Sequence, residues 1–549
     1  MIRTLILVFL SFQFKFAIYS QISNEQVYKF NRVMDLISMF YVDTIQENKL
    51  VEKAIISVLK DLDPHSIYIS KEDVDEMNEP LVGSFDGIGI TYNLLHDTVY
   101  VLSTLPGGPS QRLGIRAGDR IVSIENDNIA GIGINSETVK SRLEGKKGSI
   151  VKIAIKRKGT SGILPFAITR EPIPIFSIDA AYQVDEKTGY IKLNKFSGTT
   201  IDEFNQVAKK LKKGGVENLI LDLRDNGGGY LKTAIDLTDQ FLNDKRMIAY
   251  THGISSPKTE YFSTSKGLFK ECRLIVLIDE GTASASEIFS GAIQDWDEGL
   301  LVGRRSYGKG LVQRPFHLMD GSLIRLTIAR YYTPTGRLIQ KPYSEGYDKY
   351  SSDIYKRTLH GELYSSDSIH FPDSLKYFTL SSKRPVYGGG GIMPDIFIPI
   401  DTSSYPMFYQ KIRKNGKLYD FILTYVDQKR TMLNKEYADF EIFKKHFELE
   451  DDFLQSLVKF SILENIQDKL SSEELLAIEI NKSFELPNNL KIFNLDNPRV
   501  KNDIKALIAR NLYSNKEYYE ILNMTDDAFQ RAVEVINNEK QYYSLLQAN

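Results

Sequence analysis

Two short runs constrain this chain most: Asn218-Leu219-Ile220-Leu221-Asp222-Leu223 and Leu274-Ile275-Val276-Leu277-Ile278 are apolar at nearly every position, and each runs straight into a turn. Such runs read as buried strands rather than surface ones. Helical patterns alternate with them, which points to an α/β domain over residues 171–400. Within it, residues 343–386 are rich in Ser, Tyr, Asp and Lys and read as an inserted surface excursion.

The flanks have different textures. Residues 21–80 carry apolar residues at helical spacing, from Val27, Phe30, Val33 and Ile37 to Leu50, Ala54, Val58 and Leu59, and the pattern closes at Asp63-Pro64. Residues 81–170 turn to short alternating runs broken by glycine and proline, as in Thr98–Leu102, Arg120–Ile124 and Val151–Ile155, the pattern of a compact β module. Beyond residue 401 glycine nearly vanishes and helical spacing dominates through Phe421, Leu423 and Val426 to Leu470, Leu475, Leu476 and Ile478. Residues 401–549 are therefore expected to form a helical C-terminal appendage. A length of 549 residues suits several domains of this kind.

Arg3, the apolar stretch Leu5–Leu10 with its continuation to Ile18, and the small residue Ser20 fit a secretory signal peptide over residues 1–20. The expected location is exported, in the periplasm, either soluble or held at the membrane by an uncleaved signal. With 69 Lys plus Arg against 71 Asp plus Glu, the overall charge gives no footprint for nucleic acid. The single Cys272 excludes an intrachain disulfide and a cysteine zinc site, and no metal or cofactor is expected.

Three elements carry candidate chemistry. After the strand Leu274–Ile278 comes Asp279-Glu280-Gly281-Thr282-Ala283-Ser284-Ala285-Ser286-Glu287, which puts a serine among small residues at a helix start. Unpaired amides there can stabilise an oxyanion, although Ser284-Ala285-Ser286-Glu287 also fits a capping box. Gly308-Lys309-Gly310-Leu311-Val312-Gln313 offers a lysine that burial would turn into a base, or else only a solvated turn. Gln313, four residues on, lies on the same face of a strand or helix and can hold the amine. The run Asp222-Leu223-Arg224-Asp225-Asn226-Gly227-Gly228-Gly229 offers backbone amides to a ligand, or only a tight turn.

Together these motifs resemble the C-terminal processing peptidases, or tail-specific proteases, serine peptidases with a Ser/Lys dyad. The resemblance implies Ser284 as nucleophile, Lys309 as general base and Gln313 as the residue orienting it. Ser286 is then a helix residue. It also implies an oxyanion hole from Ala285 with Gly229, or alternatively Gly228. Asp63-Pro64-His65-Ser66 and Gly391-Ile392-Met393-Pro394-Asp395 extend the likeness over about residues 24–400, with His65 structural. The implied fold is multidomain α+β with a crotonase-like α/β protease core.

The β module resembles a PDZ domain through Gly87-Ile88-Gly89-Ile90, Pro106-Gly107-Gly108 and Gly114-Ile115-Arg116-Ala117-Gly118-Asp119. A loop of the Gly87–Ile90 kind binds peptide carboxyl termini while the next strand edge pairs with the peptide. The implied enzyme is an exported endopeptidase cutting near the C-termini of protein or peptide substrates. In it the PDZ domain binds tails or gates the site, and the helical termini make a homo-oligomer or dock an adaptor protein. Two rival functions are weighed: a PDZ adaptor on a dead scaffold, against which the full Ser/Lys/Gln set counts, and an acyl-thioester enzyme, against which the PDZ module and export signal count.

Overall fold

The computed structural model describes residues 22–95, 97–401, 405–463 and 495–547. The expected signal peptide and the apolar positions 470–478 lie outside the described residues.

The centre is a six-stranded sheet in the order Ile178–Gln183, Thr188–Leu193, Asn218–Asp222, Leu274–Ile278, Leu300–Gly303, Ile396–Phe397. The first pair is antiparallel and every later pair parallel. Side chains alternate between the two faces of a strand, so each of these apolar runs presents two hydrophobic faces. Leu219, Leu221, Leu274, Val276 and Ile278 pack with the helices Thr200–Lys213, Leu231–Thr238 and Ala285–Asp295. Ile220, Ile275, Leu277, Leu300 and Val302 point the other way.

The second face is covered by the end of the helical C-terminal segment. Phe529, Ala532, Val535 and Ile536 of the helix Asp527–Asn537, with Tyr542 and Leu546 beyond it, lie directly on the sheet. Phe529 meets Tyr190 edge-on, and Tyr542 Oη donates to the Leu274 carbonyl at 3.0 Å. The last helices are therefore a structural layer of the core, although the first of them begins at Asp527, far along the chain from the last strand, Ile396–Phe397. The helices between residues 407 and 512 build their own core around Phe408, Ile412, Ile422, Leu457 and Ile504.

A second, antiparallel sheet carries the hairpin Leu311–His317 and Leu323–Tyr332, flanked by Ile67–Ile69 and Met247–Gly253. Ahead of it stand the helices Asn24–Phe40, Glu47–Leu62 and Val74–Val82. The β module is an antiparallel sheet whose strand Ile90–Leu94 lies at one edge. Its strand Arg120–Ile124 and its Tyr100 are tied to the C-terminal helices through Asp427, which accepts from Tyr100 Oη at 2.7 Å and from Arg120 at 2.8 Å.

Residues 343–386 are mostly exposed or half-buried and are anchored at a few points. Tyr350, Arg357 and Leu363 are buried, because the segment folds back against the loop leading to Lys309. Arg357 donates to the carbonyls of Arg305 at 2.7 Å and Ser306 at 3.0 Å. Among the described residues no helix is long and apolar enough to cross a membrane.

Phe529 is 4% exposed, and replacing it by alanine should cost about 3–5 kcal/mol, since a buried aromatic is exchanged for a cavity. Urea unfolding of Phe529→Ala beside the parent measures this; a change within about 0.5 kcal/mol, typical of a surface position, contradicts the layer assignment.

Candidate active site

The turn after Leu274–Ile278 is tight because small residues allow it. Thr282 Oγ1 donates to the Leu223 carbonyl at 2.8 Å, and the Ala283 amide to the Asn226 carbonyl at 3.0 Å. These bonds press the turn against the glycine loop and leave Ser284 just before the helix Ala285–Asp295 with φ +56° and ψ −114°. Such a conformation costs a non-glycine residue on the order of 1–3 kcal/mol and persists only where the surroundings enforce it. Here they do. Glu287 Oε2 accepts from the Ser284 amide at 2.9 Å, and Tyr331 Oη donates to its carbonyl at 3.1 Å.

Glu287 does more than cap. It is fully buried, and its carboxylate also accepts from Ser306 Oγ at 2.5 Å, the Gly308 amide at 2.7 Å and the Lys309 amide at 2.9 Å. Burial raises its pKa while these donors pull the other way. One carboxylate thus fixes both the serine turn and the lysine loop. Sequence reasoning gave Glu287 only a capping role, because a capping glutamate and a bridging one share the same local spacing.

Ser284 and Lys309 line one cavity of about 460 Å³, together with Gly227, Gly228, Gly229, Ala285 and Gln313. The Lys309 ammonium is disfavoured: burial holds its pKa below the ordinary lysine value, and the positive charge of Arg325 adds to the effect. Glu287 and Asp63 oppose it. Gln313 sits in the strand Leu311–His317 just after an irregularity in its pairing, and its Nε2 is buried with no hydrogen-bond partner among the described residues.

The glycine loop separates two candidates that the sequence left together. The Gly228 amide donates to Asn226 Oδ1 at 2.9 Å, so it is committed, and the alternative of Gly228 as an oxyanion donor falls away. Its role is space: a Cβ there would stand 2.8 Å from the Ala285 nitrogen and from Ser284 Cβ. Gly229 has φ +150°, and a Cβ there would overlap the Phe196 carbonyl oxygen at 2.1 Å. Ala285 opens its helix, where an amide has no intrahelical acceptor. Ser286 is buried and donates from Oγ to the Asn226 carbonyl at 2.9 Å.

His65 does not line the cavity at Ser284. Its Nε2 lies 2.7 Å from Tyr350 Oη, and burial, then the Lys309 charge, lowers its pKa to about 4. Neighbouring Asp63 accepts from the Ser66 amide at 2.9 Å and Thr327 Oγ1 at 3.0 Å. In the β module, Gly87 ends the strand Ser84–Gly87, Ile88 is buried in the module's core and Gly89 has φ +71°. The Leu105 amide donates to the Gly89 carbonyl at 2.9 Å, which holds the loop beside the edge strand beginning at Ile90. None of these four residues lines the cavity at Ser284. Among the described residues no group of three or more His, Cys, Asp or Glu is placed to hold a metal.

Comparison with known proteins gives four family matches. Peptidase family S41 matches residues 187–346, the PDZ domain residues 87–162, and the N-terminal domain of the activating protease CtpB residues 15–73. A family of unknown function matches residues 408–514. The chain is 34% identical over 316 residues to the carboxy-terminal processing protease CtpB of Bacillus subtilis, covering 57% of this chain and 65% of that protein. It is 33% identical over 355 residues to the carboxy-terminal-processing protease of Bartonella bacilliformis, covering 62% and 81%. A solved photosystem II D1 C-terminal processing protease aligns at 27% identity and TM-score 0.32, covering 57% of this chain and 90% of that one.

Replacing Glu287 by glutamine leaves an NH₂ group facing donors it cannot accept from, at a cost of about 3 kcal/mol. Denaturant unfolding of Glu287→Gln measures the loss; stability unchanged within about 0.5 kcal/mol would show that the carboxylate does not hold the two loops.

Proposed function

Because the chain belongs to peptidase family S41, the carboxy-terminal processing peptidases, we propose that it is a serine endopeptidase working through Ser284 and Lys309. The observation that carries this reading is the shared cavity, lined both by a strained serine and by a lysine whose charge is disfavoured by burial. Neutral Lys309 takes the proton as Ser284 Oγ attacks the scissile carbonyl carbon. The resulting oxyanion is held by the amides of Gly229 and Ala285. Lys309 then passes its proton to the leaving amine, and an acyl-enzyme remains. Water, deprotonated by the same amine, releases the product acid and restores Ser284. Gln313 orients the lysine side chain. No step calls for a metal or cofactor.

The PDZ domain supplies the substrate end of the account. Its edge strand and the Gly87–Ile90 loop suit an extended tail with a free carboxylate. Tethering that site to the dyad raises the local concentration of tails there. Residues 1–20 direct export, so N-terminal sequencing of the chain recovered from cells should begin at Gln21; an intact Met1 contradicts cleavage.

Ser284→Ala should lower kcat on an unfolded protein substrate at least about a thousandfold, and Lys309→Ala at least about a hundredfold. Amidating the substrate's C-terminus should weaken cleavage. The sign of the pH dependence follows from the base: activity rises as pH climbs through the Lys309 pKa, which lies below that of an ordinary lysine. Removing the positive charge in Arg325→Gln raises that pKa and moves the acid limb of kcat/KM upward. Full activity in Lys309→Ala, or an acid limb unmoved in Arg325→Gln, contradicts the assignment of the base.

A further inference from the structure

The cavity at Ser284 has an unbalanced charge. Lys195, Lys309 and Arg325 line it, and among the described residues no aspartate or glutamate does. Elsewhere in the core the fold pairs its buried cations. Lys192 meets Asp222, Arg304 meets Glu280, Arg337 meets Asp295, and Arg384 meets Asp297 and Asp395. Arg325 has only Asn78 Oδ1, at 3.3 Å, and among the described residues neither Arg325 nor Lys195 has a carboxylate partner. A partly buried cation left unpaired in this way is a ready site for a charge-assisted hydrogen bond from a ligand.

The two cations come from elements fixed for other reasons. Lys195 follows the core strand Thr188–Leu193 and precedes Phe196, whose amide donates to the Gly228 carbonyl at 3.0 Å. Arg325 sits in the strand Leu323–Tyr332, paired with Pro315 on one side and Ile67 on the other. Apolar lining from Leu231, Ile288, Leu311 and Val312 completes the cavity. Its volume, about 460 Å³, suits a short peptide segment rather than a single atom group.

We propose that Lys195 and Arg325 form a carboxylate-binding subsite within the cleavage pocket. The substrate segment that enters then carries an anionic group, a terminal carboxylate or an acidic side chain, beside an apolar one. This inference deepens the peptidase reading and rests on it for the identity of the pocket. It is separate from tail capture by the PDZ domain, whose Gly87–Ile90 loop does not line this cavity.

Binding to the full-length Ser284→Ala chain tests the subsite without cleavage. One fluorescent peptide is used in three forms: free C-terminus, amidated C-terminus, and amidated with a glutamate near its end. At least one carboxylate form should bind about tenfold more tightly than the all-neutral form, equivalent to one charge-assisted hydrogen bond. Whichever arm shows the gain identifies the source of the carboxylate. Adding Lys195→Gln or Arg325→Gln should lower the ratio about tenfold in the arm that shows the gain, leaving only what the PDZ domain contributes for a free C-terminus, and Arg325→Lys should retain part of the gain.

A preference undiminished by either neutral substitution belongs to the PDZ domain alone and overturns the proposal, as does no preference in any form. Because Lys195 is only partly buried, Lys195→Gln keeps the test available if an Arg325 variant misfolds. Charge-selective binding in Ser284→Ala with no cleavage by the parent chain would leave the subsite standing and remove the peptidase reading instead.

Discussion

The buried carboxylate of Glu287 is the interaction on which the site depends. Two loops 20 to 25 residues apart in sequence must bring a serine and a lysine to one cavity, and each loop is stiff only if its backbone donors are satisfied. Glu287 takes the Ser284 amide from one and the Gly308 and Lys309 amides from the other. A charged acceptor in a low-dielectric setting makes such bonds stronger, and an unpaired one would be costly. The same group that starts a helix therefore fixes the relation between the Ser284 turn and the Lys309 loop. Its own charge also opposes the burial that disfavours the Lys309 ammonium.

Rigidity at this junction is inherited from the sheet beneath it. The strand Leu274–Ile278 aims the serine turn, and the strand Asn218–Asp222 aims the glycine loop. Both are apolar on two faces, so both need two layers of cover. Helices 200–213, 231–238 and 285–295 supply one, and the C-terminal helices supply the other. Arg224, at the head of the glycine loop, pairs with Asp222 at 2.7 Å and with Asp526 at 2.8 Å. The C-terminal layer thus reaches the loop that carries Gly229, while the separate helical core between residues 407 and 512 holds the β module through Asp427.

Much of this was legible in the residues, and the rest for definite reasons was not. Contiguous signals read well. The two apolar runs announced an α/β sheet, and the alternating runs of residues 81–170 announced a β module, because period and turn chemistry are local properties. Relations between distant segments did not read. Nothing in Phe529 or Tyr542 states that their helices lie on Ile220 and Ile275, since an amphipathic helix looks the same whatever covers it. The polar composition of residues 343–386 hid Tyr350 and Arg357, which are buried by packing against the lysine loop. The preference for Gly229 over Gly228 rested on resemblance, and only the Asn226 side chain gives it a physical reason. That no carboxylate among the described residues lies beside Lys195 and Arg325 is a property of the assembled cavity, invisible in either segment.

The central claim is that Ser284 becomes acylated with Lys309 as its base. The direct measurement is to quench the full-length chain during turnover of an activated peptide ester and map the covalent adduct by peptide mass spectrometry, beside Lys309→Ala under the same conditions. The account predicts an acyl group on Ser284 that fails to accumulate when Lys309 is replaced. An adduct on another residue, or one that forms equally fast on Ser284 in Lys309→Ala, would contradict it.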